Sequence, residues 1–353
     1  MSKIKVAVIF GGISTEHDVS VVSGTSVIEK LNKENYEIYP TYIDTDGSWY
    51  QYIKPVEEIK VVSIGTKLEE LIPIDNIINY LKQVDIAFPV LHGLGGEDGS
   101  IQGLFKMLDL PYVGCGILAS SAGMDKVYAK IIFERAGIPQ TKYEYVKVKD
   151  NQYTYVYSDF TEEKMELINI VEKISKNLNY PMFVKPSNSG SSVGVKKATN
   201  KNELQEAIQY AAKFDTKILV EQGILGREIE CAVLGNDEVI SSPVGEVLSA
   251  EDFYSFDAKY TNQESKTVIP ADIEKEISND IRDLAIKAFK AIDGKGLSRV
   301  DFFVENKTNK IYINEINTLP GFTTISMYPK LFAQIGIGYS ELLDRLIQLE
   351  IQK

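Results

Sequence analysis

The chain has 353 residues, 44% of them hydrophobic and 25% charged, which is typical of a folded globular protein of two or three domains. Its 50 aspartates and glutamates outnumber 38 lysines and arginines, and the net charge of −12 argues against a nucleic-acid binder, which would need a basic face. No run of 18 apolar residues occurs, so no membrane span is expected. The two cysteines lack metal-site spacing and indicate a reducing, cytoplasmic compartment.

The first 125 residues alternate strands with helices. Apolar strands are predicted at residues 5–10, 37–43 and 84–89, with a short fourth strand at 112–114. A helix is predicted from about residue 15 to 32, opened by a capping box of Thr15 and Asp18. This alternation predicts a Rossmann-like parallel sheet of the α/β class. Ligands of such sheets bind beyond the carboxyl ends of the strands, where Gly11, Gly12 and His92 lie.

Two further units follow, and the predicted domains are 1–125, 126–225 and 226–353. The second unit has predicted helices at 126–136 and 203–213, a third helix ending near 175, and strands at 181–185 and 217–221. It also has a tyrosine-rich segment, 143–157, that predicts a hairpin turning at 149–151. The third unit has predicted helices at 273–292 and 339–349, and a polar, aromatic loop at 249–265 that suits a lid.

A hairpin near the end of the chain carries the most informative polar residues. Arg299 and Asp301 alternate on one predicted strand, and Glu315 and Asn317 alternate on the next, so all four should face one surface. The carboxylate and amide oxygens are hard ligands of the kind that Mg²⁺ takes when it also holds substrate phosphates. The alternative is a surface hairpin with solvated charges, but the flanking aromatic and aliphatic residues predict buried strands. The hairpin therefore predicts a site for a metal and a nucleotide triphosphate.

A glycine- and serine-rich loop, 185–195, is the second strong signal. Its backbone N–H groups and its hydroxyls, including that of Ser192, suit a flap over phosphates, although it is not a Walker loop. Lys185 enters the loop from an apolar strand, where a lysine is costly unless it meets an anion. The alternative interpretation is a mobile hairpin tip. A G-x-G-x-x-A match at 114–119 is a weak dinucleotide signal, since it does not follow the opening strand.

Two further candidates have structural alternatives. Glu16 lies in the first turn of a predicted helix, where an acid is favourable without any functional role. His92 is one of two histidines and follows a buried strand, so it is either a site residue or a structural histidine.

Six ordered motifs, at 11–20, 91–103, 124–126, 185–194, 257–260 and 299–321, together resemble the D-alanine–D-alanine ligase family of ATP-grasp carboxylate–amine ligases. The resemblance covers nearly the whole chain. It implies a Rossmann-like N-terminal domain followed by a two-lobed α+β ATP-grasp fold. It also implies the ATP-dependent formation of D-alanyl-D-alanine through an acyl phosphate, for peptidoglycan precursors, with two Mg²⁺ or Mn²⁺ ions.

The resemblance also implies roles for individual residues. The metal ligands would be Asp301, Glu315 and Asn317. Contacts to ATP phosphates would come from Lys126, Lys185, Lys259 and the loop of Ser192, and contacts to adenine and ribose from Glu221 and Glu228. Arg299 would face the transferred phosphoryl group, Glu16 would hold the ammonium of the first D-alanine, and Ser326 would hold the second carboxylate. Ser191 and Tyr260 would hydrogen-bond with Glu16. Either His92 or this last group could take the proton of the attacking amine.

Three alternatives stay open at this point. Ile325 replaces a histidine commonly found before Ser326, which motivates a D-alanine–D-serine ligase. A different ATP-grasp ligase is a second alternative, and a non-catalytic nucleotide-binding regulator is a third. A homodimer is expected from the family alone.

Overall fold

The chain forms three β-sheets in succession along the sequence, in a computed structural model that describes residues 2–248 and 266–351. The first sheet contains five strands: β1 (Ile4–Gly11), β2 (Tyr36–Ile43), β3 (Trp49–Tyr52), β4 (Leu71–Pro73) and β5 (Ile86–Val90). Its strand order is β4-β3-β2-β1-β5. The central strand β1 pairs in parallel with β2 and β5, which confirms the predicted parallel sheet, whereas the antiparallel edge formed by β3 and β4 was not predicted.

The helices around this sheet are α1 (His17–Lys30), α2 (Ile77–Leu81), α3 (Ser100–Met107) and α4 (Ile117–Met124). The predicted capping box is wrong, because Glu16 is the N-cap of α1 and its backbone N–H donates to the hydroxyl of Ser14. The predicted strand at 112–114 is also wrong, since Tyr112 forms only an isolated bridge with Ala87. The G-x-G-x-x-A segment, residues 114–119, therefore does not follow a strand, and its last three residues already belong to α4.

The second sheet has six strands: β6 (Tyr143–Lys149), β7 (Gln152–Val156), β8 (Glu162–Met165), β9 (Met182–Pro186), β10 (Lys196–Ala198) and β11 (Lys217–Gln222). Its order is β10-β9-β11-β6-β7-β8. The predicted tyrosine-rich hairpin is confirmed, and both turn residues, Asp150 and Asn151, have positive φ, as such tight turns require. The helices of this unit are α5 (Lys126–Arg135), α6 (Leu167–Asn177) and α7 (Lys201–Ala211).

The third sheet has the order β14-β13-β12-β15-β16, and its paired strands are antiparallel. Its strands are β12 (Gly226–Gly235), β13 (Val239–Leu248), β14 (Lys266–Val268), β15 (Gly296–Glu305) and β16 (Ile311–Asn317). Strands β15 and β16 form the predicted hairpin. The helices described in this part of the chain, outside residues 249–265, are α8 (Lys275–Ala291), α9 (Met327–Ala333) and α10 (Tyr339–Ile351). The predicted lid, 249–265, lies outside the described residues.

The hydrophobic cores do not follow the sheets one to one. One core combines the first sheet with residues from β12, β15, α9 and α10, so the first and third sheets are joined by apolar packing. A second core lies beneath the third sheet and includes Ala129 and Phe133 of α5. The second sheet has its own core with α6 and α7. Ala129 and Phe133 of α5 therefore pack with the third sheet, whereas α6 and α7 pack with the second.

No helix in the described part of the chain has both the length and the apolar content needed to cross a membrane.

Candidate active site

The polar side chains that were predicted to share a surface of the β15–β16 hairpin lie on one face of the third sheet. Residue Arg299 of β15 pairs in register with Asn317 of β16, and Asp301 pairs with Glu315. The Arg299 guanidinium donates two hydrogen bonds to Asp301, each of 2.7 Å, and the Asn317 amide donates to Asp301 at 3.0 Å. Because paired and alternate residues of antiparallel strands share a face, these four side chains line one surface.

A further carboxylate, Glu230, belongs to this surface and was not predicted. It lies on β12 in register with Asp301, and its Oε2 is 3.2 Å from Nε of Arg299. Burial by itself would lower the pKa of Arg299, but Asp301 and Glu230 outweigh burial and raise that pKa well above its ordinary value. Arg299 is thus a fixed cation, held by acids on two strands.

The donor set fits a Mg²⁺ ion that also binds substrate. Among the described residues no three His, Cys, Asp or Glu side chains converge on one point, so the protein supplies two carboxylates and one amide here. Asp301 is only 2% exposed and Asn317 is half-buried. Since Mg²⁺ is usually held by one or two carboxylates, phosphate oxygens and waters, this small set of hard oxygens is appropriate to it.

A bulge in β16 turns one more side chain toward the second sheet. The register passes from Asp301–Glu315 to Phe302–Ile313, so Asn314 is the extra residue. Its amide oxygen accepts a hydrogen bond of 3.4 Å from Lys185, which lies on β9. The predicted phosphate lysine is therefore next to the predicted metal strand, although the two are far apart in sequence.

Glu221 pairs with lysines on both sides. This β11 residue forms an ion pair with Lys185 through Oε1, and its Oε2 is 3.0 Å from the ammonium of Lys130. Burial would raise the pKa of Glu221, but the two lysines outweigh burial and lower it to about 2. The resemblance implied that Glu221 contacts adenine and ribose, and it implied no role for Lys130, which lies four residues after Lys126 on the same face of α5.

The serine loop is tied to the start of α5. Asp125 caps this helix, accepts a hydrogen bond of 2.6 Å from Ser187 and pairs with Lys217. The ammonium of Lys126 donates to the backbone carbonyl of Ser189 at 2.6 Å. Hydrogen bonds thus connect Lys126, which was predicted to contact phosphate, to the serine loop, which was predicted to cover phosphate.

The tip of this loop reaches the first helix. The hydroxyl of Ser191 donates a hydrogen bond to Glu16, across a separation of 175 residues. A Cβ at Gly190 would lie 2.4 Å from Glu16 Oε2, and one at Gly93 would lie 2.7 Å from it, so both positions need glycine for this approach. Ser191 and its neighbour Ser192 have positive φ, of 47° and 62°.

His92 has a fixed tautomer. Its Nδ1 lies 3.1 Å from the carbonyl oxygen of Leu319, which can only accept, so Nδ1 carries the proton. Its Nε2 lies 3.0 Å from the hydroxyl of Ser23, which accepts from the backbone N–H of Phe322 and, because a neutral ring protonated at Nδ1 can only accept at Nε2, donates to Nε2. Burial lowers the pKa of His92, so the ring is neutral. The structure makes His92 a link between α1 and the loop that follows β16.

Glu97, in the loop after β5, was not singled out in the sequence. Its carboxyl accepts hydrogen bonds from the backbone N–H groups of Gly93, at 3.0 Å, and Leu319, at 3.4 Å. Burial, together with the charge of Glu16, raises the pKa of Glu97 to about 8. The sequence could have indicated it, since Glu97 follows a histidine and three glycines at the end of a buried strand.

The other predicted site residues include Ser326 and Glu228, which the structure describes. Ser326, the N-cap of α9, accepts from the backbone N–H of Thr323 at 3.0 Å, and a Cβ at Gly321 would lie 2.8 Å from its hydroxyl. Ile325 is 59% exposed. Glu228 is half-buried on β12, two residues before Glu230 and on the same face of the strand. Lys259 and Tyr260 lie outside the described residues.

The comparisons with known proteins agree on one family. Residues 5–115 match the family described as D-ala D-ala ligase N-terminus, and residues 132–348 match D-ala D-ala ligase C-terminus. The chain belongs to the D-alanine–D-alanine ligase family. It is 48% identical to the D-alanine–D-alanine ligase of Acetivibrio thermocellus, over 99% of this chain and 96% of that protein. It is 49% identical to that of Ruminiclostridium cellulolyticum, over 100% and 96%.

Solved structures of the family share the fold. The VanG D-Ala:D-Ser ligase of Enterococcus faecalis has a TM-score of 0.85 and 38% identity, over 99% of this chain and 100% of that one. The D-alanine–D-alanine ligase of Coxiella burnetii has a TM-score of 0.81 and 31% identity, over 100% and 95%. The predicted fold class and family are therefore confirmed, and the protein is an ATP-dependent ligase.

Proposed function

We propose that this ligase joins two D-alanines at the polar face of the third sheet, with the residue roles that the resemblance implied. The observation that carries the proposal is the convergence of Arg299, Asp301, Glu315 and Asn317 on one surface next to Lys185. These residues come from strands of two sheets, and their combination of hard oxygens and fixed cations is suited to a nucleotide triphosphate.

The first half-reaction activates a carboxylate, which by itself is a poor acyl donor. An oxygen of the first D-alanine attacks the γ-phosphorus of ATP, ADP leaves, and an acyl phosphate forms. Positioning and charge neutralisation dominate such transfers. We assign Lys126, Lys185, Lys259 and the backbone of the Ser192 loop to the phosphates, and Glu221 and Glu228 to the nucleoside. Arg299, held as a cation by two carboxylates, faces the transferred group.

The second half-reaction forms the peptide bond. The amine of the second D-alanine attacks the acyl carbon, and a tetrahedral oxyanion forms. The bond between the acyl carbon and the phosphate oxygen then breaks, and inorganic phosphate leaves. Arg299 would stabilise the oxyanion, and losing such a donor typically costs about 3 kcal/mol, on the order of 100-fold in rate. Glu16 would hold the first ammonium, with Ser191 fixing its carboxylate and Tyr260 completing the group, and Ser326 would hold the second carboxylate.

The attacking amine must lose a proton, and the hydrogen bonds favour the Glu16 group over His92. Nε2 of His92 already accepts from Ser23, so its lone pair is engaged. Glu16, in contrast, lies where the serine loop meets α1. We therefore propose that the proton leaves through the group of Glu16 and Ser191 and that His92 positions the loop that follows β16.

Asp301, Glu315 and Asn317 would hold the metal, which we propose to be two Mg²⁺ or Mn²⁺ ions. When bound, these ions neutralise phosphate charge and act as Lewis acids. We also propose a cytoplasmic enzyme, a homodimer, and the domain division 1–125, 126–225 and 226–353.

The test is a D-amino-acid panel that measures ADP release with ATP and Mg²⁺. We expect turnover with D-alanine alone and formation of D-alanyl-D-alanine, identified by mass spectrometry. No ADP release with D-alanine alone, but release when D-serine is added, would reject D-alanine as the second substrate. ATP binding without turnover on any D-amino acid would reject the catalytic proposal. Glu16→Gln adds a control, because a different ATP-grasp ligase would retain its activation step in this variant.

A further inference from the structure

Lys130 is a buried lysine that none of the roles above uses. Its side chain is 3% exposed, and its ammonium lies 3.0 Å from Oε2 of Glu221 and 3.3 Å from the hydroxyl of Thr141. An apolar residue of similar volume often replaces a buried ion pair without loss of stability, so stability alone is a weak reason for this pair. The position of Lys130 next to the nucleotide residues suggests another reason.

Glu221 divides its two oxygens between two cations. Oε2 faces Lys130, whereas Oε1 pairs with Lys185. Lys185 also donates to Asn314 in the bulge of β16, and Asn314 directly precedes the metal-ligand candidate Glu315. A row of polar contacts, Lys130–Glu221–Lys185–Asn314, therefore runs from helix α5, through the second sheet, to strand β16 of the third sheet.

The helix α5 presents two lysines to the second sheet. Lys126 and Lys130 are four residues apart, so they share one face. Lys126 bonds the serine loop, while Lys130 bonds the strand that carries Glu221. Ala129 and Phe133 of the same helix pack in the core beneath the third sheet. Lys130 thus connects a helix anchored under the third sheet to an acid of the second.

We propose that Lys130 is a positioning residue of the ATP site. Lys130 binds Oε2 of Glu221, so that Oε1 is available to position the ammonium of Lys185. When Lys185 moves to a phosphate of ATP, Lys130 remains paired with Glu221. Without Lys130, Glu221 would retain Lys185 as its ammonium partner, and Lys185 would compete less well for phosphate. The inference rests on the proposed role of Lys185 as a phosphate contact.

A double-mutant cycle with Lys130→Met and Glu221→Gln tests this coupling. Removing one partner of a buried ion pair is costly, and we expect Lys130→Met to raise the KM for ATP about tenfold to 100-fold. The KM for D-alanine should stay within about twofold, because the amino-acid residues are elsewhere. The double variant should bind ATP no more weakly than Glu221→Gln alone, since Lys130 acts through Glu221. Lys147→Met, which removes an exposed pair with Glu162 in the same sheet, is the matched control and should change neither KM.

The affinity for ADP, measured by equilibrium dialysis on each variant, gives a readout without turnover. If Lys130→Met fails to fold, the double variant removes both buried charges and still allows comparison with Glu221→Gln. An unchanged affinity for ATP in Lys130→Met, an equal loss for ATP and D-alanine, or a double variant much weaker than Glu221→Gln would each overturn the inference. A wild-type protein that binds ADP but forms no dipeptide would instead reject the proposed function.

Discussion

Glu97 provides a test of the electrostatics of the site that does not depend on substrate. It accepts two backbone hydrogen bonds, from Gly93 and from Leu319, and so joins the loop after β5 to the loop after β16. Burial and the charge of Glu16 raise its pKa from 4.5 to about 8. Near neutral pH the folded protein therefore holds a proton on Glu97, while the unfolded chain does not.

The consequence for stability follows from proton linkage. A raised pKa stabilises the folded state fully below the unfolded pKa, and this stabilisation is lost as the pH rises through the folded pKa. Between about pH 4.5 and 8, the free energy of unfolding contributed by Glu97 should fall by about 1.4 kcal/mol per pH unit, a total of about 5 kcal/mol at most. Glu97→Gln has no ionising group and lacks this slope. It also loses one acceptor, which costs about 1 kcal/mol at every pH.

The measurement is urea unfolding of the wild type and Glu97→Gln without substrate, at about one-unit steps from pH 5 to 8.5. The wild type should lose stability relative to the variant as the pH rises. Asp98→Asn is the control, because Asp98 is the next carboxyl in the same loop and also accepts backbone hydrogen bonds. A stability difference between wild type and Glu97→Gln that is constant with pH would refute the electrostatic argument. A difference that changes in the opposite direction would refute it as well.

Three further predictions concern single contacts. Ser191→Ala removes the hydrogen bond to Glu16 and should lower kcat/KM for D-alanine about tenfold in steady-state kinetics. The free energy of unfolding without substrate, measured in urea, should change by less than about 1 kcal/mol. Glu315→Gln should lower kcat by at least about 100-fold in a Mg²⁺ titration while leaving the melting temperature without nucleotide unchanged, and a large fall in that temperature would favour a structural role. Ser23→Ala leaves buried partners on His92 and Phe322 unsatisfied and should cost about 1–3 kcal/mol in urea unfolding.

The polar face of the third sheet could be predicted from the sequence because strand periodicity determines it. Alternation places Arg299 with Asp301, and Glu315 with Asn317, and a turn of five residues brings the two strands together. The tyrosine-rich hairpin was predictable for the same local reason, since Asp150 and Asn151 are residues that accept positive φ. Local pattern and local turn chemistry are sufficient wherever partners are close in sequence.

The rest of the site depends on contacts between residues distant in sequence, which no local pattern specifies. Glu221 and Lys130 are separated by 91 positions, and nothing near either residue indicates the pair. The bulge at Asn314 depends on the register of two strands, and Ser191, whose φ is positive, bonds Glu16 across a separation of 175 residues. The capping-box prediction is wrong for a related reason. Glu16, the N-cap of α1, accepts a hydrogen bond from Ser191 of the serine loop, and its side chain does not cap the helix.

The arrangement of the cores indicates where the site can change shape. The first and third sheets share one apolar core, whereas the second sheet has its own and shares with α5 a small apolar cluster around Val127. Polar contacts at the site, such as Lys185 with Asn314 and Ser191 with Glu16, join the second sheet to the other two. Polar contacts exchange partners at a smaller cost than apolar cores repack. A nucleotide bound between the second and third sheets would therefore act on the contacts that are easiest to rearrange. On the proposal above, Lys130 keeps Glu221 paired while these contacts change partners.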